Sequence, residues 1–103
     1  MCCGNTTAEA SSPDTAAGHW GDFNCDVPAW TYTKMLEQIK EEHGSSLEYI
    51  MITGDYPAHD VWLQSRQHNL DTAQAVLQPL TQIFPDTQVF PALGNHEPFP
   101  CNM

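Results

Sequence analysis

Leu47-Glu48-Tyr49-Ile50-Met51-Ile52-Thr53-Gly54-Asp55-Tyr56-Pro57 is the stretch on which the fold turns. Its first part, Leu47 to Thr53, is short, apolar and rich in β-branched and aromatic residues, which suits a buried strand better than a helix. Gly54 and Pro57 then end the strand in a turn that carries a carboxylate. A second run of the same kind, Thr87-Gln88-Val89-Phe90-Pro91-Ala92-Leu93, leads into Gly94-Asn95-His96-Glu97, with Pro91 the weakest residue for a strand. Between the two, residues Val61 to Ile83 place Leu70, Ala73, Leu77 and Leu80 on one helical stripe, and Pro79 is expected to kink that helix or end it early. Strand, helix and strand make a βαβ unit, with parallel strands and a right-handed crossover. The fold class is therefore α/β. Ligand sites in such sheets gather at the carboxyl ends of the strands, and both polar loops fall there.

Upstream of this unit, Asp26 is expected to cap a helix with Pro28 in its first turn. Tyr32, Met35 or Leu36, and Ile39 form its apolar stripe, Lys34, Glu37, Glu41 and Glu42 its solvated side, and Gly44 its stop. Gly18-His19-Trp20-Gly21-Asp22-Phe23 brings aromatics between glycines and reads as a packed, irregular turn. Residues 1–28 form a cysteine-containing irregular segment, and residues 29–103 the structured part.

The chain has 103 residues with 13 acidic and 3 basic side chains, a net charge of -10. Lys34, Lys40 and Arg66 cannot assemble a basic patch, so nucleic-acid binding is excluded as a function. No apolar stretch approaches the roughly 20 residues of a membrane helix, and Met1-Cys2-Cys3-Gly4 lacks the apolar core of a signal peptide. Cys2, Cys3, Cys25 and Cys101 allow three full pairings, and no CxxC spacing supports a zinc finger. Together with the glycosylation sequon at Asn5, the cysteines point to a secreted or lumenal protein.

The two loops hold complementary chemistry. Asp55 and Asn95 offer hard oxygen ligands, while His59 and His96 offer imidazoles that bind metal or carry protons near neutral pH. A carboxylate can bridge two divalent ions, and such ions about 3.5–4 Å apart clamp an in-line displacement at phosphorus. Asp60 and Glu97, flanking the histidines, are candidates to orient an imidazole. Taken singly, each of these residues has a plainer role as a turn former or solvated group. His19, His43 and His68 read as structural or solvent-facing, and Trp20, Trp30 and Trp62 as packing.

The longer strings carry a resemblance. Ala17-Gly18-His19-Trp20-Gly21-Asp22-Phe23-Asn24-Cys25-Asp26-Val27-Pro28, Thr53-Gly54-Asp55-Tyr56-Pro57-Ala58-His59-Asp60-Val61-Trp62 and Pro91-Ala92-Leu93-Gly94-Asn95-His96-Glu97 resemble the acid sphingomyelinase (sphingomyelin phosphodiesterase) family of the calcineurin-like metallophosphoesterases. The resemblance runs from Cys2 to the end of the chain. It implies a partial metallophosphoesterase fold, a βαβ unit plus an N-terminal disulfide-linked loop and helix, belonging to the catalytic domain. It further implies a zinc enzyme, secreted or lysosomal, with two Zn2+ per complete catalytic domain, that hydrolyses sphingomyelin to ceramide and phosphocholine. On this resemblance Asp55 corresponds to the bridging metal ligand and Asn95 to a ligand of one zinc. His96 and His59 correspond to the histidines beside the scissile phosphate, either of which protonates the leaving alkoxide or stabilises the transition state. Cys3 is expected to pair with Cys25 and Cys2 with a cysteine upstream, while Cys101 has no assigned counterpart.

The family's DxH and GHxH motifs and its saposin-like, lipid-presenting domain are not represented in these residues. The chain alone is therefore expected to have little or no activity, and to meet a membrane lipid surface only through parts missing here. Two other readings stand beside this one. The first is a sphingomyelinase-like phosphodiesterase acting on nucleotides or other phosphate esters. The second is a catalytically inactive, truncated binding or decoy piece.

Overall fold

The computed structural model describes residues 18–102. Its elements are helix α1 (Ala29–His43), strand β1 (Tyr49–Ile52), a short 3-10 turn (Val61–Leu63), helix α2 (Arg66–Ile83) and strand β2 (Gln88–Pro91). The strands pair in parallel, with Tyr49 opposite Gln88 and Ile52 opposite Pro91. The structure is thus mixed α/β with the βαβ unit read from the sequence. The expected disulfide-linked loop and the sequon at Asn5 lie outside the described residues, as do Cys2 and Cys3. Among the described residues Cys101 is a free thiol.

Alternation along β1 and β2 turns Ile50, Ile52 and Val89 towards the helices, where they pack around the buried trio Leu36, Leu80 and Phe84. Tyr32, Ile39, Leu47, Leu77 and Ile83 complete this cluster. The other face of the sheet shows Tyr49, Met51 and Phe90 to solvent, with the Tyr49 and Phe90 rings edge to face at 6.1 Å between centroids. Leu36 rather than Met35 is the inward residue of α1. The hydroxyl of Tyr32 donates to the carbonyl of Val76 at 3.0 Å and ties α1 to α2. Among the described residues no helix is long and apolar enough to cross a membrane.

Five expectations change in detail. Helix α1 begins at Ala29 behind Pro28, which occupies the cap position, so Asp26 lies too early to cap it. The segment expected as one helix from Val61 is divided, because Ser65 accepts a hydrogen bond from the His68 N–H at 3.1 Å and starts α2 afresh. Leu70, expected on the buried stripe, is exposed. Pro79 does not end α2, which continues to Ile83. Phe23, expected in a packed turn, is fully exposed; the turn is held instead by the Gly21 N–H on the Gly18 carbonyl at 2.9 Å.

Leu80→Ala leaves a cavity at the centre of this small core, so it is expected to lower unfolding stability by about 3 kcal/mol in urea titration. Met51→Lys on the open sheet face is expected to change it by less than about 0.5 kcal/mol.

Candidate functional site

The two strands deliver their loops side by side. Past the last strand pair, the Ala92 N–H still donates to the Ile52 carbonyl at 2.8 Å, so the chains diverge only at Gly54 and Gly94. Both positions require glycine. Gly54 has φ of 88°, and a Cβ there would collide with the backbone of Leu93 and Gly94; a Cβ on Gly94 would collide with the Asp55 carboxylate. Asp55 itself holds a φ of 60°, a conformation that costs a non-glycine residue about 1–3 kcal/mol and persists only where its surroundings enforce it.

Those surroundings are dominated by Glu97. One carboxylate oxygen accepts from the Asp55 N–H at 3.0 Å and also from the Gly94 N–H, while the other accepts from the Tyr56 N–H at 2.6 Å. The Asp55 carboxylate in turn accepts from the His96 N–H at 3.0 Å. Each loop thus supplies the acceptor for the other's amides. The Tyr56 hydroxyl donates to the Ala92 carbonyl at 3.1 Å; burial, and then the nearby Glu97 charge, push its phenol pKa up, so it remains a neutral donor.

The structure brings the expected residues together. The His59 and His96 rings meet edge to face with centroids 5.2 Å apart. Asn95 follows Gly94 directly, and its Nδ2 donates to Asn102 Oδ1 at 2.8 Å, which commits the amide nitrogen and leaves Oδ1 as the atom for an electropositive ligand. The Cys101 thiol lies 3.4 Å from the Asn95 carbonyl. Asp60 and Glu97 do not orient an imidazole as expected. Asp60 accepts from the Gln64 amide at 3.3 Å, and Glu97 is spent on backbone amides.

Two residues near the histidines were missed by the sequence reading. Asp26 accepts from the His59 backbone N–H at 3.2 Å and contacts His59 Nδ1 at 2.6 Å. Partial burial raises its pKa, but the hydrogen bonds from the His59 ring and amide outweigh this and hold it below the ordinary value of 3.8. The available signal was Pro28, which takes the cap role and frees a carboxylate two residues earlier. Asn69, only 3% exposed, donates through Nδ2 to the carbonyls of His96 at 3.1 Å and Glu97 at 3.3 Å. Its Oδ1 and His96 Nδ1 are both buried without a partner. Nothing in the helical pattern marks an asparagine on α2 for this task.

A divalent ion is tested by the donors present. Asp55 and Asn95 each have a free-standing oxygen of the hard type such ions take. Among the described residues no group of three or more His, Cys, Asp or Glu could hold a metal ion. These two oxygens therefore fit as part of a ligand set and do not complete one.

No protein-family model matches the chain, but curated proteins do. It is 38% identical over 90 residues to sphingomyelin phosphodiesterase B of Dictyostelium discoideum, an alignment covering 86% of this chain and 14% of that protein. It is 36% identical over 103 residues to sphingomyelin phosphodiesterase 1 of Caenorhabditis elegans, covering 99% of this chain and 17% of that protein. To the cyclic GMP-AMP phosphodiesterase SMPDL3A of Bos taurus it is 35% identical over 101 residues, covering 97% of this chain and 21% of that protein. These relatives are all named phosphodiesterases, so the chain belongs to a family of enzymes. Within that class it is a member of the sphingomyelin phosphodiesterase family, spanning less than a quarter of the length of each of these relatives.

Glu97→Ala would strip the acceptor from three amides at once. It is expected to cost about 2–4 kcal/mol in denaturant unfolding, given the roughly 1.5–3 kcal/mol typical of charged hydrogen bonds, with faster hydrogen exchange at Asp55, Tyr56 and Gly94. Because the Asp26 pKa is lower folded than unfolded, its contribution is fully present above about 3.8 and is lost as pH falls through the folded value. A carbon NMR titration of the Asp26 carboxyl group is expected to show a midpoint under 3.8.

Proposed function

We propose that this chain is part of the catalytic domain of a zinc-dependent phosphodiesterase that hydrolyses sphingomyelin to ceramide and phosphocholine. The observation that supports it best is the meeting of Asp55, Asn95, His59 and His96 at the carboxyl ends of β1 and β2, in a chain related to sphingomyelin phosphodiesterases. Asp55 and Asn95 would hold zinc, with the remaining ligands contributed from elsewhere in the longer protein. Bound there, zinc would supply a hydroxide nucleophile at neutral pH and offset charge on the phosphate. The chain's own residues do the rest. Glu97 fixes the turn that aims Asp55, and the His96 amide orients the carboxylate. The paired imidazoles stand ready to protonate the leaving alkoxide or to stabilise the charge that develops on it. The sequon at Asn5 and the cysteines favour a secreted or lysosomal location for the whole protein.

A second substrate class has a specific observation behind it: the similarity to a protein named cyclic GMP-AMP phosphodiesterase. Both substrates are phosphodiesters, so the metal and histidine roles would carry over unchanged.

The full-length protein containing this segment is expected to hydrolyse sphingomyelin faster than a cyclic dinucleotide, and His96→Ala to lower kcat by about 10²–10⁴-fold as loss of a positioned proton donor does. Preference for the dinucleotide would favour the second substrate, and hydrolysis of neither would remove the proposal. The 103-residue chain by itself, equilibrated with zinc and desalted, is expected to retain close to no metal by elemental analysis.

A further inference from the structure

We propose that Asp26 is a positioning residue for His59, taking the proton-bearing Nδ1 of the ring so that Nε2 is the nitrogen presented beside His96. The role of that nitrogen rests on the phosphoester reading above, whereas the hydrogen-bond assignment does not.

Both oxygens of one carboxylate are used on one residue. Oδ2 accepts the His59 backbone N–H at 3.2 Å and Oδ1 meets the ring Nδ1 at 2.6 Å. An ionised carboxylate only accepts hydrogen bonds, so the ring nitrogen facing it carries the hydrogen. In a neutral imidazole the lone pair then lies on Nε2. The two contacts act on different degrees of freedom, since the amide contact fixes the loop and the ring contact fixes the side-chain rotation. A carboxylate or carbonyl behind a working histidine commonly sets its tautomer and orientation in this way.

A surface ion pair without consequence is the plainer account, because the His59 side chain is 81% exposed and exposed pairs contribute little to stability. The placement of Asp26 argues otherwise. It stands 33 residues from its partner, in a segment anchored on both sides. Upstream, the Asp22 carboxylate accepts the Asn24 N–H at 2.8 Å and the Asp22 carbonyl accepts the Cys25 N–H at 3.0 Å. Downstream, Pro28 fixes the start of α1. The carboxylate is therefore delivered to the histidine by backbone that is already held, and its lowered pKa keeps it ionised where the ring is needed.

The test reads the tautomer directly. In the full chain labelled with ¹⁵N-histidine, long-range ¹H–¹⁵N spectra at neutral pH are expected to show His59 protonated on Nδ1, its signals being identified by their loss in His59→Gln. Asp26→Ala is expected to move the proton to Nε2, the form free imidazole side chains prefer in water. A His59 protonated on Nε2 in the unaltered chain overturns the proposal even if the variant does not fold, and so does an Asp26→Ala spectrum in which Nδ1 stays protonated. No activity is measured, so this result and the hydrolysis assay can fail separately.

Discussion

The Glu97 carboxylate is the fixed point of the molecule's functional end. A parallel sheet of two strands has no covalent or turn connection between the strand ends that carry the loops, because the crossover helix joins opposite ends. Something other than the ladder must hold the loops together where the ladder stops. Glu97 does this with backbone amides from both sides, Asp55 and Tyr56 on one and Gly94 on the other, while the Asp55 carboxylate returns a bond to the second loop. Side chains on long flexible stems would have left the spacing loose. Backbone donors aimed at one carboxylate do not, and the left-handed Asp55 and the two glycines exist because the loops are drawn this close.

The histidines are secured differently. His96 is held through its main chain, between the Asp55 carboxylate and the Asn69 amide, with its Nδ1 buried. His59 is exposed and is held by a carboxylate arriving from before α1. One ring is placed by the sheet and the other by a segment outside the βαβ unit. The unit alone therefore cannot set their relative position; the eleven-residue stretch from Gly18 to Pro28 takes part in it.

Much of the architecture was legible because it depends on local pattern. The apolar runs at 47–53 and 87–93, the helical spacing between them and the glycines after each strand led to a parallel unit with Asp55, Asn95, His59 and His96 at one end. What was not legible depends on distant partners. Asp26 was read as a cap because aspartate is a favoured cap residue and Pro28 suits a first helical turn, and its true partner is far along the chain. Glu97 was expected near an imidazole because it follows one, yet a carboxylate reaches three unpaired amides more profitably in free energy than a neutral ring. Ser65 was overlooked beside the continuous apolar pattern from Val61, although its hydroxyl accepts the His68 N–H and caps the helix that starts there. Asn69 carried no signal, since a buried polar group on a helix is explained only by the carbonyls it meets.

Pro91 gives the two-stranded sheet a direction of growth. The Ala92 amide points inward to Ile52, so by alternation the nitrogen of Pro91 points away from β1, and it has no hydrogen to offer. The free margin of β2 is thereby interrupted, and the margin of β1 keeps its donors in sequence. A third strand, from the longer polypeptide or from a neighbouring molecule, would find its better match along β1. In this way one ring-closed residue, placed for what it lacks, decides on which flank the sheet can be extended.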